Sequence, residues 1–267
     1  METIKIAFFS QESINSPLKH LRIVGPISNT DMKLTSVSVI DNEITQYIKN
    51  AHIIVFQRTF PADIPLFNKI YKISRQLKKP LVYDLDDNLF ILPENHPDRK
   101  SFSISRGLIP MLNAALVADS ITVSNNYLKQ SISNLNQNIQ ALPNYLDDTI
   151  WSFNSPKIQN NENSLTIGYM GGASHKPDLE FITPLLVQIK KNFADRVRYH
   201  IYGVKPPEVL LSFDDTIWTP IKTYQYSEFA QDSQQIEGDF FIELSNKFSG
   251  FNFTCIFLYI FTDTSKT

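Results

Sequence analysis

The run from Leu165 to Phe181, LTIGYMGGASHKPDLEF, sets an apolar strand, a glycine turn and a helix start in immediate succession. This order makes the stretch a βα unit and constrains what surrounds it. Leu165, Ile167, Tyr169 and Met170 read as an internal strand, and Gly171 and Gly172 release the backbone for a sharp turn. Pro177-Asp178 opens an amphipathic helix predicted to reach about Phe193. A turn without Cβ atoms that feeds a helix N-terminus directs unpaired N–H groups and the positive end of the helix dipole at one place. An anion, typically a phosphate, is stabilised there. Lys176 adds a full positive charge at that mouth. From these residues alone, plain topology and phosphate binding both stay open.

A chain of 267 residues with 42% hydrophobic content can build one large or two ordinary cores. Its net charge of −2 provides no basic field for nucleic acid, so a nucleic-acid partner is not expected. The single Cys255 excludes a disulfide framework or a multi-cysteine metal site and agrees with a reducing compartment. The opening METIKIAFFSQES runs straight into a strand without a signal-peptide pattern, which predicts a cytoplasmic protein. No apolar run reaches the roughly 18 to 20 residues that span a bilayer, which leaves peripheral membrane contact open.

Upstream, strands and helices alternate. Strands are predicted at Ile4–Phe9, Thr35–Ile40 and Ala51–Gln57, with helices at Ile44–Lys49 and Pro65–Leu77. Lys69, Lys72, Arg75 and Lys78 lie on the water side of the latter helix. A strand entering Pro80–Phe90 follows, then a helix at Leu108–Val117, a strand at Asp119–Val123 and a helix from Tyr127 capped by Ser124-Asn125. This alternation argues for a parallel sheet with helices on both sides. Residues 152–164, SFNSPKIQNNENS, are polar and aperiodic and read as a linker.

The strand in PLVYDLDDNLF ends in Asp84, Asp86 and Asp87, three carboxylates within four residues. Such a cluster binds a divalent cation or accepts hydrogen bonds from hydroxyls. Asp84-Leu85-Asp86 is similar to the DxD pattern by which GT-A glycosyltransferases hold a metal and a nucleotide diphosphate. It also resembles the DxDGT motif of haloacid-dehalogenase-type phosphatases, with Asp84 as nucleophile, although Asp87-Asn88 replaces Gly-Thr. His96, in the loop LPENHPD, is the histidine close to these acids in sequence.

Three stretches together, Tyr83–Phe90, Leu142–Trp151 and Thr166–Leu179, resemble group 1 glycosyltransferases of the GT-B fold. The resemblance covers roughly residues 1–232. It implies two Rossmann-like parallel-sheet α/β domains facing a cleft, with residues 1–151 as the acceptor-side domain and 165–238 as a partial, incomplete donor-side domain. It assigns Gly171, Gly172, His175 and Lys176 to the donor diphosphate. Arg22, Asp84, Asp86, Asp87 and His96 fall on the acceptor side or in the cleft, with a solvated helix face as the alternative for Arg22 and its neighbour His20. The implied reaction moves a sugar from a nucleotide-diphosphate-sugar co-substrate to a saccharide or lipid-linked acceptor, with no required cofactor and no metal. No nucleophile or general base is named by it.

The resemblance stops near Asp232. The family's pair of glutamates spaced E-x7-E is absent after the linker, and residues 239–267 read as an atypical, Phe-rich tail that is missing its natural continuation or out of frame. A half-built sheet of three strands would leave an open edge. An inactive remnant or binding module is therefore the second expectation, and the Asp84 phosphatase the third.

Overall fold

The structure is a computed structural model that describes residues 3–13, 15–28, 30–37, 43–60, 63–92, 99, 102–144, 146–147, 149–151, 164–222, 225–234, 238–246 and 254–260. The chain divides into two compact units, Met1–Asp147 and Asp148–Thr267. The linker expected at 152–164 lies outside the described residues except for Ser164.

The first unit is a six-stranded parallel sheet in the order β2-β1-β3-β4-β5-β6. The strands are β1 (Lys5–Phe9), β2 (Lys33–Val37), β3 (Ile53–Gln57), β4 (Leu81–Leu85), β5 (Ser120–Val123) and β6 (Ile139–Ala141). After β2 the chain crosses to the other side of β1, so the strand order reverses between β1 and β3. In open parallel sheets ligands collect at the carboxyl ends of strands beside such a reversal.

Strand alternation sends side chains to both faces. Phe9, Phe56, Tyr83 and Val123 share one core with α3 (Ile44–Asn50), α4 (Ile64–Gln76), α5 (Phe102–Val117) and α6 (Asn126–Ser131). Ile6, Phe8 and Val55 pack on the opposite face with Ile23 and Ile27, from a helical segment made of α1 (Pro17–Lys19), a π-turn (His20–Val24) and α2 (Gly25–Ser28). Asp63 caps α4 by accepting from Leu66 N–H at 2.8 Å, and Asn125 caps α6 by accepting from Leu128 N–H at 2.8 Å. Arg75 ties α4 to the end of α5, donating to Val117 O at 2.6 Å and pairing with Asp119 at 2.7 Å.

Helix α5 starts six residues before the predicted Leu108. Here Gly107, a poor helix former, lies inside the helix and is buried.

The second unit is a sheet in the order β11-β10-β7-β8-β9. Its strands are β7 (Leu165–Gly171), β8 (Val197–Gly203), β9 (Thr216–Thr219), β10 (Phe240–Asn246) and β11 (Thr254–Ile260). All pair in parallel except β11, which runs antiparallel to β10. Helix α7 (Lys176–Phe193) buries Leu179, Ile182 and Leu186 against Tyr169, Tyr199 and Ile201. Two further helices are α8 (Glu208–Leu211) and α9 (Tyr226–Ser233).

The stretch 239–267, expected as an atypical tail, contains two strands among its described residues. Its first residues form β10, which pairs with β7 in register Phe240↔Ile167 and Ile242↔Tyr169. Asp239 fastens the start of β10, accepting from Thr166 N–H at 2.7 Å and donating through its own N–H to Thr166 O at 2.8 Å. Gly168 has no Cβ because the Phe241 ring lies on it; a Cβ there would meet the ring at 2.5 Å. The β7 edge expected to stand open is thus covered. Parallel pairing across some seventy residues leaves no local pattern, which hid β10 in the sequence.

Gly203 closes β8 at φ +97°, and a Cβ on it would stand 2.2 Å from Gly171 O. Gly203→Ala therefore forces both the backbone and the β7–β8 contact, and is expected to destabilise the second unit by about 3 kcal/mol. Urea unfolding checks this, and a wild-type midpoint would contradict the close approach.

Candidate functional site

Each sheet carries a cluster of polar groups at its carboxyl edge. In the second unit β7 ends at Gly171, and a 3-10 turn (Ala173–His175) leads into α7. Gly171 is buried, and a Cβ on it would fall 2.8 Å from the Cβ of His175, so this glycine is required by packing. Gly172 differs. Its backbone is extended, at φ −74° and ψ −173°, and a Cβ there would meet nothing within 4 Å. Neither conformation nor packing demands a glycine at 172, yet the position borders the N-terminus of an 18-residue helix where strand order reverses between β7 and β10.

His175 precedes α7, its Nδ1 3.0 Å from Oδ2 of the largely buried Asp178, while its carbonyl accepts from Tyr169 OH at 3.1 Å. Burial, reinforced by the Asp178 charge, pushes the Tyr169 phenol well above its ordinary range, so it remains a donor. Lys176 is the first residue of α7, exposed, with Nζ 3.7 Å from Glu180. Such a solvated i,i+4 pair is weak and readily exchanged for a stronger anion.

In the first unit Arg22 is fully buried, which removes the solvated-face alternative. Its guanidinium donates from Nη2 to Asp84 Oδ1 at 2.6 Å and from Nε to Asp84 Oδ2 at 3.3 Å. It also donates from Nη1 to Leu142 O and to Asn144 Oδ1, the latter at 3.1 Å. Thr122 Oγ1 donates to Asp84 Oδ1 at 2.6 Å. Asp84 is buried and paired with a buried guanidinium, which argues against the Asp84 phosphatase reading: a nucleophile needs access to its substrate and is weakened by a counter-charge held against it. Arg22 and Asp84 therefore position the edge of the sheet and are themselves withheld from a ligand. His20 Nε2 lies 3.3 Å from Asp147 Oδ2.

Asp86 and Asp87 meet Arg58, which the sequence reading missed. Arg58 follows β3 at φ +49°, a left-handed conformation uncommon outside glycine. Its carbonyl accepts from the buried Tyr83 OH at 2.7 Å, and its N–H donates to Asp84 O at 3.0 Å. Those bonds hold the residue in this conformation. Arg58 Nε lies 3.3 Å from Asp86 Oδ1 without hydrogen-bond alignment, and its Nη2 is 3.7 Å from the exposed Asp87. Burial pushes Asp86 up to about 7, with Asp87 and Asp84 adding to the rise and Arg58 opposing it.

Next to Arg58, Gln57 is buried. Its Oε1 accepts from Ser10 Oγ at 2.8 Å, while its Nε2 finds no partner among the described residues. Gln57 and Arg58 directly follow the apolar run IIVF, and the rule that polar residues gather where a buried strand ends, applied to Asp84, applies equally to them. His96 lies outside the described residues. Among the described residues, no three His, Cys, Asp or Glu side chains converge as metal ligands.

No protein-family model matches this sequence, and no curated protein matches it. Among solved structures the chain is similar to LpCGTa in complex with UDP, at 9% identity over 83% of this chain and 71% of that one, with a TM-score of 0.46. It is similar to an alpha-glucosyltransferase in complex with UDP and a 13-mer DNA containing a central A:G mismatch, at 11% identity over 87% and 70%, with a TM-score of 0.48. It is similar to the apo form of the lipopolysaccharide outer core galactosyltransferase WaaB, at 12% identity over 88% and 74%, with a TM-score of 0.42. At these values the likeness assigns no role to any residue of this chain. The chain's own sheets define its class: two successive Rossmann-like α/β units, each parallel but for β11, as expected of the GT-B arrangement.

Arg22→Met is expected to cost about 3 to 5 kcal/mol, because Asp84 would stay buried without its counter-charge. Chemical unfolding measures the loss, and an Arg22→Met/Asp84→Leu double variant is expected to recover part of it. Asp86 has a native pKa above its unfolded value, so the native state holds the extra proton and stability falls as pH rises from about 4 to about 7. Asp86→Asn removes that dependence. The variant is expected to gain on the wild type by at least about 1 kcal/mol between pH 5 and pH 8, and parallel stability curves would refute the assignment.

Proposed function

We propose that the protein transfers a sugar from a nucleotide-diphosphate-sugar donor to a saccharide or lipid-linked acceptor, as a cytoplasmic enzyme of polysaccharide biosynthesis. The observation that carries this reading is Gly172. At the mouth of α7, beside the β7/β10 reversal, the chain leaves out a Cβ that none of the described residues would obstruct. A ligand that must approach the backbone closely explains the omission.

The donor diphosphate would lie against the backbone N–H groups at Gly172 and the first turn of α7. Lys176 would exchange Glu180 for the phosphate, and His175, oriented by Asp178, would line the mouth. These groups stabilise the charge that grows on the departing nucleoside diphosphate. The acceptor side falls to the first unit, where Asp86, Asp87 and Arg58 offer acceptors and a donor, and the unsatisfied Gln57 amide seeks an oxygen. The nucleotide sugar is a co-substrate, and this reading calls on no further cofactor.

A second reading, a binding module without transfer, is favoured by one observation: no glutamate after the linker has a second glutamate eight residues on.

Calorimetric titration with UDP, GDP and their sugar conjugates, with and without Mg²⁺, tests both. Metal-independent micromolar binding is expected. Gly172→Val is expected to weaken it at least about tenfold with an unchanged melting temperature, since the new side chain fills only the ligand's space. Lys176→Ala is expected to weaken it severalfold. Nucleotide binding without turnover of any sugar conjugate would support the module, and unimpaired binding by Gly172→Val would overturn the donor assignment.

A further inference from the structure

The outward sides of α4 and α5 carry an arrangement that neither the donor reading nor the fold uses. Helix α5 buries Met111, Ala114 and Ala115 in the core, yet its opposite side is apolar too: Ile109 is 59% exposed, Leu112 38% and Leu116 52%. These residues recur at spacings of three and four, so they form one stripe along the helix. An exposed stripe of this kind on a globular domain marks an interaction surface.

Helix α4 packs in the same core and is tied to α5 through Arg75 and Val117. Its outer side exposes Lys69 and Lys72, and Lys78 follows just beyond its end. In a chain of net charge −2, no acidic residue occurs between Asp63 and Asp84 or between Asp98 and Asp119, the two stretches that contain these helices. The basic and apolar residues therefore lie side by side without acids to neutralise them locally, apart from the Arg75–Asp119 clip.

Protein interfaces are depleted in lysine, whereas an apolar stripe flanked by lysines suits the boundary between acyl chains and anionic headgroups. We infer that the α4/α5 face of the first unit docks on an anionic bilayer surface, with Ile109, Leu112 and Leu116 entering the acyl boundary and Lys69, Lys72 and Lys78 meeting headgroup phosphates. The 16 residues of α5 are too few to span the hydrocarbon, and among the described residues no helix is long and apolar enough to cross a membrane, so the mode is interfacial. The inference stands on this face alone and does not require the donor site.

Co-sedimentation of the full chain with vesicles tests it, comparing phosphatidylcholine alone with phosphatidylcholine containing about 30% phosphatidylglycerol. Binding is expected only to the anionic vesicles, released by about 0.5 M salt. Ile109→Glu with Leu116→Glu is expected to abolish it. Lys69→Gln with Lys72→Gln is expected to weaken it roughly 25-fold, about fivefold for each lysine near the surface. All four positions are solvent-facing, so unchanged melting temperatures separate loss of docking from loss of fold. A chain that stays in the supernatant with both vesicles overturns the inference. So does a double-glutamate variant that sediments like the wild type. Concentration-dependent self-association that Ile109→Glu removes, without vesicle binding, would assign the face to a second copy of the chain.

Discussion

A guanidinium and a carboxylate buried together cost several kcal/mol of lost hydration each, and they are tolerated only where further hydrogen bonds complete both. Arg22 and Asp84 meet that condition. Thr122 donates to the carboxylate, and Leu142 O and Asn144 Oδ1 accept from Nη1 of the guanidinium. One buried pair thereby joins the helical segment before β2, the ends of β4 and β5, and the chain leaving β6. The carboxyl edge of the first sheet is cross-linked by it. Next door, the Tyr83 hydroxyl and the Asp84 carbonyl of β4 hold the backbone of Arg58 in its left-handed conformation.

The two units use the same topological device with different materials. In each, strand order reverses beside the first strand, between β1 and β3 and between β7 and β10, and polar groups cluster where the strands end. The first edge is built from side chains: Gln57, Arg58, Asp86 and Asp87. The second is mostly backbone, a glycine turn and the N-terminus of a long helix. Side-chain acids and amides suit hydroxyl groups of a sugar, and oriented N–H groups suit phosphate, so the division of labour proposed for donor and acceptor follows from which atoms each edge presents.

Strand β10 is what gives the second unit a reversal at all. Without it Gly171 and Gly172 would sit on the rim of a three-stranded sheet; with it they sit beside an internal strand pair. The Phe241 ring needs the bare Cα of Gly168, so two glycines of β7, at 168 and 171, answer to packing, and Gly172 does not.

Much of the fold was legible in the residues themselves. Apolar runs such as IAFF and IIVF, the alternation of strands with helices of 3.6-residue period, Asn125 as a cap, and the strand–glycine–helix order at 165–181 are local signals that short-range physics reads directly. The sequence alone determined the α/β class, most of the elements and the glycine turn, because backbone sterics, capping and periodic burial act within a few residues. Only the tertiary structure decided that Arg22 lies buried against Asp84, that Gln57 and Arg58 join Asp86 and Asp87, and that Phe240–Asn246 pairs with β7. Those contacts join residues about thirty to seventy positions apart, and whether a polar group is solvated or buried depends on the elements that pack over it, which no local pattern records.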